Sequence, residues 1–304
     1  MSAPTPSPRC PRKAAVVGTG LMGPGIAAAL AGAGIAVTLT GRRLQGSQDA
    51  ARRADHLTGP GAAAIVPRPL DAAAFCDVDL VVETVTEDLL IKQEVLALVE
   101  SWCSEEAVLA TNTSSLTLSE LRGALQRPNL LGGLHFLNPA HLTRLVEVVA
   151  PKESSPVVAE SLRATAVAMG KTTILVQRDI PGLVWNRLQA AILRECLYLV
   201  ETGVADLASI DLAVSDGLAP RWLAAGPLGT VDLGGAATFR AMASKVFPEL
   251  FCGAAPSGLL ADGDGEFYNW DDRARAGIEE LRDEALRYST RLSERRRRLL
   301  SAHD

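Results

Sequence analysis

From Lys13 to about Val176 the chain alternates short apolar runs with amphipathic stretches. The runs at 14–17, 36–39, 80–83, 108–110, 131–135, 145–149 and 173–176 lack polar alternation, as strands buried on both faces do. Between them, 23–33, 88–101 and 156–169 carry apolar residues at helical spacing. Such strands separated by helices predict an α/β domain over 13–178, built on a doubly wound, mostly parallel sheet. At Asp179-Ile180-Pro181-Gly182 the pattern breaks, because adjacent Pro and Gly interrupt any regular element. Beyond it the β-branched runs stop, and a smaller all-helical domain is expected over 179–304. Its helices are predicted at 184–203, at 207–217 after Asp206, and at 272–301, the last of these highly charged. This final helix bears Ile278, Leu281, Ala285, Tyr288, Leu292 and Leu299 at 3–4 spacing, a seam for its own domain or for a partner. A Gly-rich stretch, 253–265, leads into it.

Composition narrows the class. With 48% hydrophobic and 21% charged residues the chain is an ordinary globular one and not a disordered one. No apolar run approaches the roughly 20 residues that span a bilayer. Residues 1–12 are Pro- and Ser-rich without an apolar segment, so a flexible leader is expected there and not a signal peptide. The net charge of -5 argues against a nucleic-acid surface, and the basic run Arg295 to Arg298 reads as a solvated helix tail. Cys10, Cys76, Cys103, Cys196 and Cys252 are scattered with no CxxC pair, which suits reduced thiols in a cytoplasm and offers no metal site.

The first strand runs into Gly18-Thr19-Gly20-Leu21-Met22-Gly23, and an Ala-rich helix follows. Glycines in this pattern allow a tight turn, close approach of a pyrophosphate and a helix packed hard on the strand. The helix N-terminus then presents free N–H groups to the phosphates. With the strand before it and the helix after it, the motif predicts a Rossmann-type dinucleotide site. The second strand closes on Gly41-Arg42-Arg43, where a site for NAD usually places an acid on the ribose 2′-hydroxyl. Two guanidiniums without an acid favour the 2′-phosphate of NADP(H), with NAD(H) as the alternative. In the plainer reading Arg42 and Arg43 are surface charges.

Polar residues also sit in or beside apolar strands, where an unpaired polar group is costly. They are Asn112 to Ser115, His135, Asn138 and Glu147. A buried glutamate needs a partner, and His135 on the preceding strand is the nearest candidate, which would make a base and its orienter. The plainer alternative is a core histidine, with Glu147 paired to an arginine.

Several segments together resemble the 3-hydroxyacyl-CoA dehydrogenases: the glycine motif, Thr111-Asn112-Thr113-Ser114-Ser115-Leu116, Gly133-Leu134-His135-Phe136-Leu137-Asn138-Pro139, Leu145-Val146-Glu147-Val148-Val149, and Asp179 to Arg187. The likeness runs in order from about Lys13 to Trp270, and its second part looks closest to the lambda-crystallin and gulonate dehydrogenase branch. The resemblance implies His135 as base, Glu147 as its orienter, and Ser114 and Asn186 as donors to the reacting oxygen. It implies Glu87, Lys92, Ser114 and Asn138 beside the cofactor, and a homodimer. Two features depart from the family: Gly41 replaces its usual acid, and the segment between Gly41 and Glu87 is shorter than in the CoA-using enzymes. The leading expectation is therefore a dehydrogenase of a 3-hydroxyacyl thioester on CoA or a carrier protein. A free hydroxy-acid or sugar-acid dehydrogenase stands beside it, with a non-catalytic, crystallin-like cofactor binder third.

Overall fold

The computed structural model describes residues 10–254, 267, 268 and 270–301, without the side chains of 296, 297 and 299–301. Most of the expected leader and of the Gly-rich stretch, His303, and the side chains of Leu299, Arg296 and Arg297 lie outside the described residues. The chain divides into two compact units, Met1–Arg187 and Leu188–Asp304.

The first unit is an eight-stranded sheet in the order β3-β2-β1-β4-β5-β6-β7-β8. Its strands are β1 (Lys13–Val17), β2 (Ala36–Gly41), β3 (Ile65–Pro69), β4 (Leu80–Glu83), β5 (Val108–Thr111), β6 (Leu131–Phe136), β7 (Leu145–Val149) and β8 (Thr172–Val176). Pairing is parallel everywhere except between β6 and β7. The fold is thus the expected Rossmann-type doubly wound sheet, and the strand order reverses between β1 and β4, where such sheets bind ligands.

Alternation along the strands builds two cores. In β1, Ala14 and Val16 face α1 (Met22–Gly32), α2 (Leu44–Leu57) and α5 (Pro156–Ala168), through Ile26, Leu30, Ala50, Val158 and Leu162. Ala15 and Val17 face the other way, toward α3 (Leu89–Trp102) and α4 (Leu118–Arg122), through Leu96, Val99, Leu118 and Leu121. Each Leu or Ile buried this way contributes roughly 1.5–3 kcal/mol.

Three labelled elements of this unit, β3, α2 and the one-turn α4, were not among the expected ones. The strand β3 reads Ile-Val-Pro-Arg-Pro, and its prolines hide it from a strand pattern. They are tolerated because β3 is an edge strand, where a missing N–H costs no ladder bond. The helix α2 buries only Ser47, Ala50, Ala51 and Ala54, so its apolar stripe is made of small side chains that weigh little in a pattern.

The second unit is helical. It holds most of α6 (Trp185–Glu201), then α7 (Leu207–Leu212), α8 (Ala219–Gly234), α9 (Ala236–Val246) and α10 (Asp272–Ser301). The helix expected over 207–217 is α7, capped by Asp206, followed by a π-helical turn over Ala213–Leu218. Gly226 at φ 74, followed by Pro227, breaks α8. No helix among the described residues is long and apolar enough to cross a membrane.

Candidate active site

The glycine motif lies at the reversal of strand order. Gly18 adopts φ 136, and a Cβ there would stand 2.3 Å from the Thr84 carbonyl oxygen. A Cβ on Gly23 would meet the Gly18 carbonyl oxygen at 2.0 Å, so α1 packs on the loop only because this residue is glycine. Gly20, by contrast, is exposed, and a Cβ there would meet nothing within 4 Å. The first turn of α1 has neither a side-chain cap nor an acid, which leaves its N–H groups to an anion. Open space above Gly20 and uncapped donors together fit a dinucleotide pyrophosphate. Leu21 is exposed, Met22 and Thr19 are half-buried, Gly41 is buried at the end of β2, and Arg42 and Arg43 are exposed beyond it.

A buried charge network supports the neighbouring strand ends. Glu83 closes β4 with its side chain 1% exposed, and Lys92 of α3 reaches it at 2.8 Å with the same exposure. Thr111 Oγ1 donates to Glu83 Oε2 at 2.7 Å, and the Val85 N–H donates to Oε1 at 2.6 Å. Lys92 also reaches Glu87 Oε2 at 3.2 Å. The other Glu87 oxygen accepts from the Thr113 hydroxyl, and from the Ser114 N–H, Ser115 N–H and Ser115 Oγ at 3.0, 3.0 and 2.9 Å. Desolvation works against ionisation of Glu87, but the Thr113 hydroxyl, Lys92 and Ser115 prevail and hold its pKa at about 2. Glu87 therefore fixes the loop that carries Ser114, and Lys92 fixes Glu87.

The next two strands hold the paired histidine and glutamate. His135 of β6 and Glu147 of β7 are direct cross-strand partners. Imidazole Nδ1 and Glu147 Oε2 stand 2.5 Å apart, with Glu147 fully buried. The other carboxylate oxygen accepts the Val184 and Trp185 N–H groups, each at 2.9 Å, at the start of α6. Burial pushes the Glu147 pKa up, but His135 and the two backbone donors outweigh it, so the group titrates below the ordinary carboxylate value. An anion that accepts Nδ1–H leaves the lone pair on Nε2, the form a base needs.

Local backbone aims those donors. Gly182 sits at φ 78 and Leu183 at φ 50, a left-handed pair that turns the chain into α6. A non-glycine residue in this region costs about 1–3 kcal/mol, offset here by the buried Leu183 side chain. The Gly182 N–H donates to the Ser114 carbonyl at 3.1 Å, which ties this turn to the serine loop. Ser114 and, in the first turn of α6, Asn186 are half-buried. Asn138 is exposed just past β6.

Lys171 was not among the expected site residues. Its buried ammonium donates to the carbonyls of Ala140, His141 and Thr143 at 2.6, 3.3 and 2.8 Å, and so pins the loop after Asn138. A lysine preceding an apolar strand carries no pattern of its own; only the fold shows what it holds. Glu83 did leave a signal, since it is an acid at the end of an otherwise apolar run. Among the described residues no group of three or more His, Cys, Asp or Glu is placed to hold a metal ion.

Residues 13–180 match the family model described as the 3-hydroxyacyl-CoA dehydrogenase NAD binding domain, and residues 182–260 match that of the 3-hydroxyacyl-CoA dehydrogenase C-terminal domain. Over 250 residues the chain is 30% identical to 5-formyl-3-hydroxy-2-methylpyridine 4-carboxylate 5-dehydrogenase of Mesorhizobium japonicum, covering 79% of this chain and 81% of that one. The crystal structure of such a 5-dehydrogenase, described as an NAD+ dependent dismutase, is similar with a TM-score of 0.84 and 25% identity, over 94% of this chain and 97% of that one. (S)-3-hydroxybutyryl-CoA dehydrogenase from Ralstonia eutropha is similar at a TM-score of 0.61 and 26% identity, over 79% and 88% of the two chains.

Proposed function

The chain belongs to the 3-hydroxyacyl-CoA dehydrogenase family of NAD-dependent oxidoreductases, and from that premise we propose that it oxidises or reduces a small free hydroxy or keto acid. The observation that carries the chemistry is the His135–Glu147 contact. In the oxidising direction His135 Nε2 takes the proton of the substrate hydroxyl, and Glu147 stabilises the imidazolium that forms. Ser114 and Asn186 donate hydrogen bonds to the oxygen as it passes from hydroxyl to carbonyl. A nicotinamide held at the glycine motif would supply the acceptor for the hydride that leaves the same carbon. Glu87 and Lys92 keep Ser114 in place, and Asn138 lines the cofactor from a loop held by Lys171.

Two observations favour a free acid over an acyl thioester. The likeness to the pyridine-carboxylate dehydrogenase covers nearly the whole of both chains, with a higher TM-score than the likeness to the hydroxybutyryl-CoA enzyme. The stretch between Gly41 and Glu87 is also short and holds no lysine, although α2 contributes Arg52 and Arg53. The thioester reading, on CoA or a carrier protein, stands second on family membership alone. For the cofactor we propose NADP(H), from Gly41, Arg42 and Arg43, against the NAD of the family description. The proposal includes a cytoplasmic homodimer, with a domain division at 178/179. Leu228 and Leu233, at 82% and 81% exposure, and the α10 seam are the apolar surface a second copy would cover.

The test is a panel of initial rates, with NADPH and NADH, on free aromatic and aliphatic keto acids, acetoacetyl-CoA and a pantetheine thioester. Free acids should exceed the thioesters in kcat/KM by about tenfold or more. The reverse order would establish the second reading instead.

A further inference from the structure

Gly41 closes β2 buried, and a Cβ built on it would lie 2.8 Å from Thr19 Cγ2 and 3.2 Å from Thr19 Oγ1. The Thr19 side chain thus occupies the room in which an acid at position 41 would begin. The backbone of Thr19 is held as well: Arg53 of α2 donates from Nη2 to its carbonyl at 2.7 Å. A guanidinium carries five N–H donors, so this one bond leaves most of the fork for an anion beside the loop. On the same helix, the Asp49 carboxylate is already engaged by Arg52 and Gln45.

We propose that Thr19 and Arg53 set the cofactor choice of this chain. Thr19 bars from position 41 the acid that would bind a ribose 2′-hydroxyl. Arg53 joins Arg42 and Arg43 as a third guanidinium for a 2′-phosphate. The share given to Arg53 rests on the NADP reading above, whereas the share given to Thr19 is steric and stands apart from it.

Calorimetry with 2′,5′-ADP and 5′-AMP, which differ only in the 2′-phosphate, separates the two. Wild type that binds both equally overturns the NADP reading and the role of Arg53 with it. Where wild type prefers 2′,5′-ADP, Arg53→Ala should weaken that ligand about 10- to 100-fold and 5′-AMP about threefold or less. Equal losses, or none, overturn Arg53 while leaving the NADP reading intact. For the steric share, Gly41→Asp should bind 5′-AMP no better than wild type. Thr19→Ala/Gly41→Asp should recover about tenfold or more over that single change, because the nearest Thr19 atom left is its Cβ, 3.6 Å from the new Cβ at position 41. Gly41→Asp that gains 5′-AMP with Thr19 in place overturns the proposal. Should Gly41→Asp not fold, melting temperatures of Gly41→Ala with and without Thr19→Ala decide it. Gly41→Ala should lower the melting temperature beside Thr19 and leave it unchanged beside Thr19→Ala; equal losses refute the plug.

Discussion

Glu147→Gln changes one oxygen to nitrogen at the centre of the site. The carboxylate is fully buried and divides its work: Oε2 faces His135 Nδ1 at 2.5 Å, and Oε1 accepts two backbone N–H groups at 2.9 Å. The amide oxygen can keep the backbone donors, so the amide nitrogen is left facing Nδ1. It donates there, Nδ1 becomes the acceptor, and the proton moves to Nε2. The imidazole is then in the wrong tautomer to take a proton, and the charge that stabilised its protonated form is gone. Turnover should fall about 10²–10⁴-fold, or about 3–5 kcal/mol of transition-state stabilisation. Cofactor affinity, read by calorimetry, should stay within about twofold, because Glu147 touches β6 and α6 and not the glycine loop. Folding stability should drop by about 1.5–3 kcal/mol as charged hydrogen bonds become neutral ones. Its pH dependence follows from the depressed pKa of the folded carboxylate. The stabilisation is complete above the unfolded value of about 4.3 and is lost as pH falls through the lower folded value. Urea midpoints of wild type should therefore fall more steeply than those of the variant below about pH 4. Turnover within about threefold of wild type would refute the tautomer argument.

Lys92→Met should destabilise the fold by about 3–5 kcal/mol in urea titration, because it strands Glu83 buried without its cation; a loss under about 1 kcal/mol would mean that water reaches Glu83. Burial, and then the charge of Arg144, hold the Lys171 pKa at about 8 in place of 10.5. The unfolded chain then binds more protons between those values, so stability should rise by about 3 kcal/mol from pH 8 to 10.5 and be lost as pH falls through 8. Lys171→Met should flatten that slope, and an unchanged slope would assign it to another group. Light scattering at micromolar concentration should give a dimer mass; a monomer would leave the exposed leucines of α8 without a partner.

The sheet was legible in the sequence because strands buried on both faces write their burial directly as apolar runs, as Leu80 to Val82 do before Glu83. The edge strand β3 and the alanine-faced α2 were not, since one is interrupted by prolines and the other buries side chains too small to form a stripe. At the site, His135 and Glu147 could be paired from chain order, and the cross-strand register brings them together. Glu87 and Lys92 were expected as cofactor neighbours, and their part in bracing Ser114 depends on hydrogen bonds to a loop 26 to 28 residues on, which no local pattern encodes. The positive φ of Leu183 was equally invisible, because the strain is carried by tertiary packing and not by a glycine.

The assignment of His135 is tested most directly by single-turnover kinetics of His135→Gln, with cofactor binding measured on the same preparation. Cofactor affinity should be unchanged, while the rate of hydride transfer falls about 10²–10⁴-fold. Glu147→Gln added to His135→Gln should cost almost nothing more, since the two residues act as one unit. A His135→Gln protein that transfers hydride at near wild-type rate contradicts the assignment, and the base would then have to be sought at His141, on the loop that Lys171 holds.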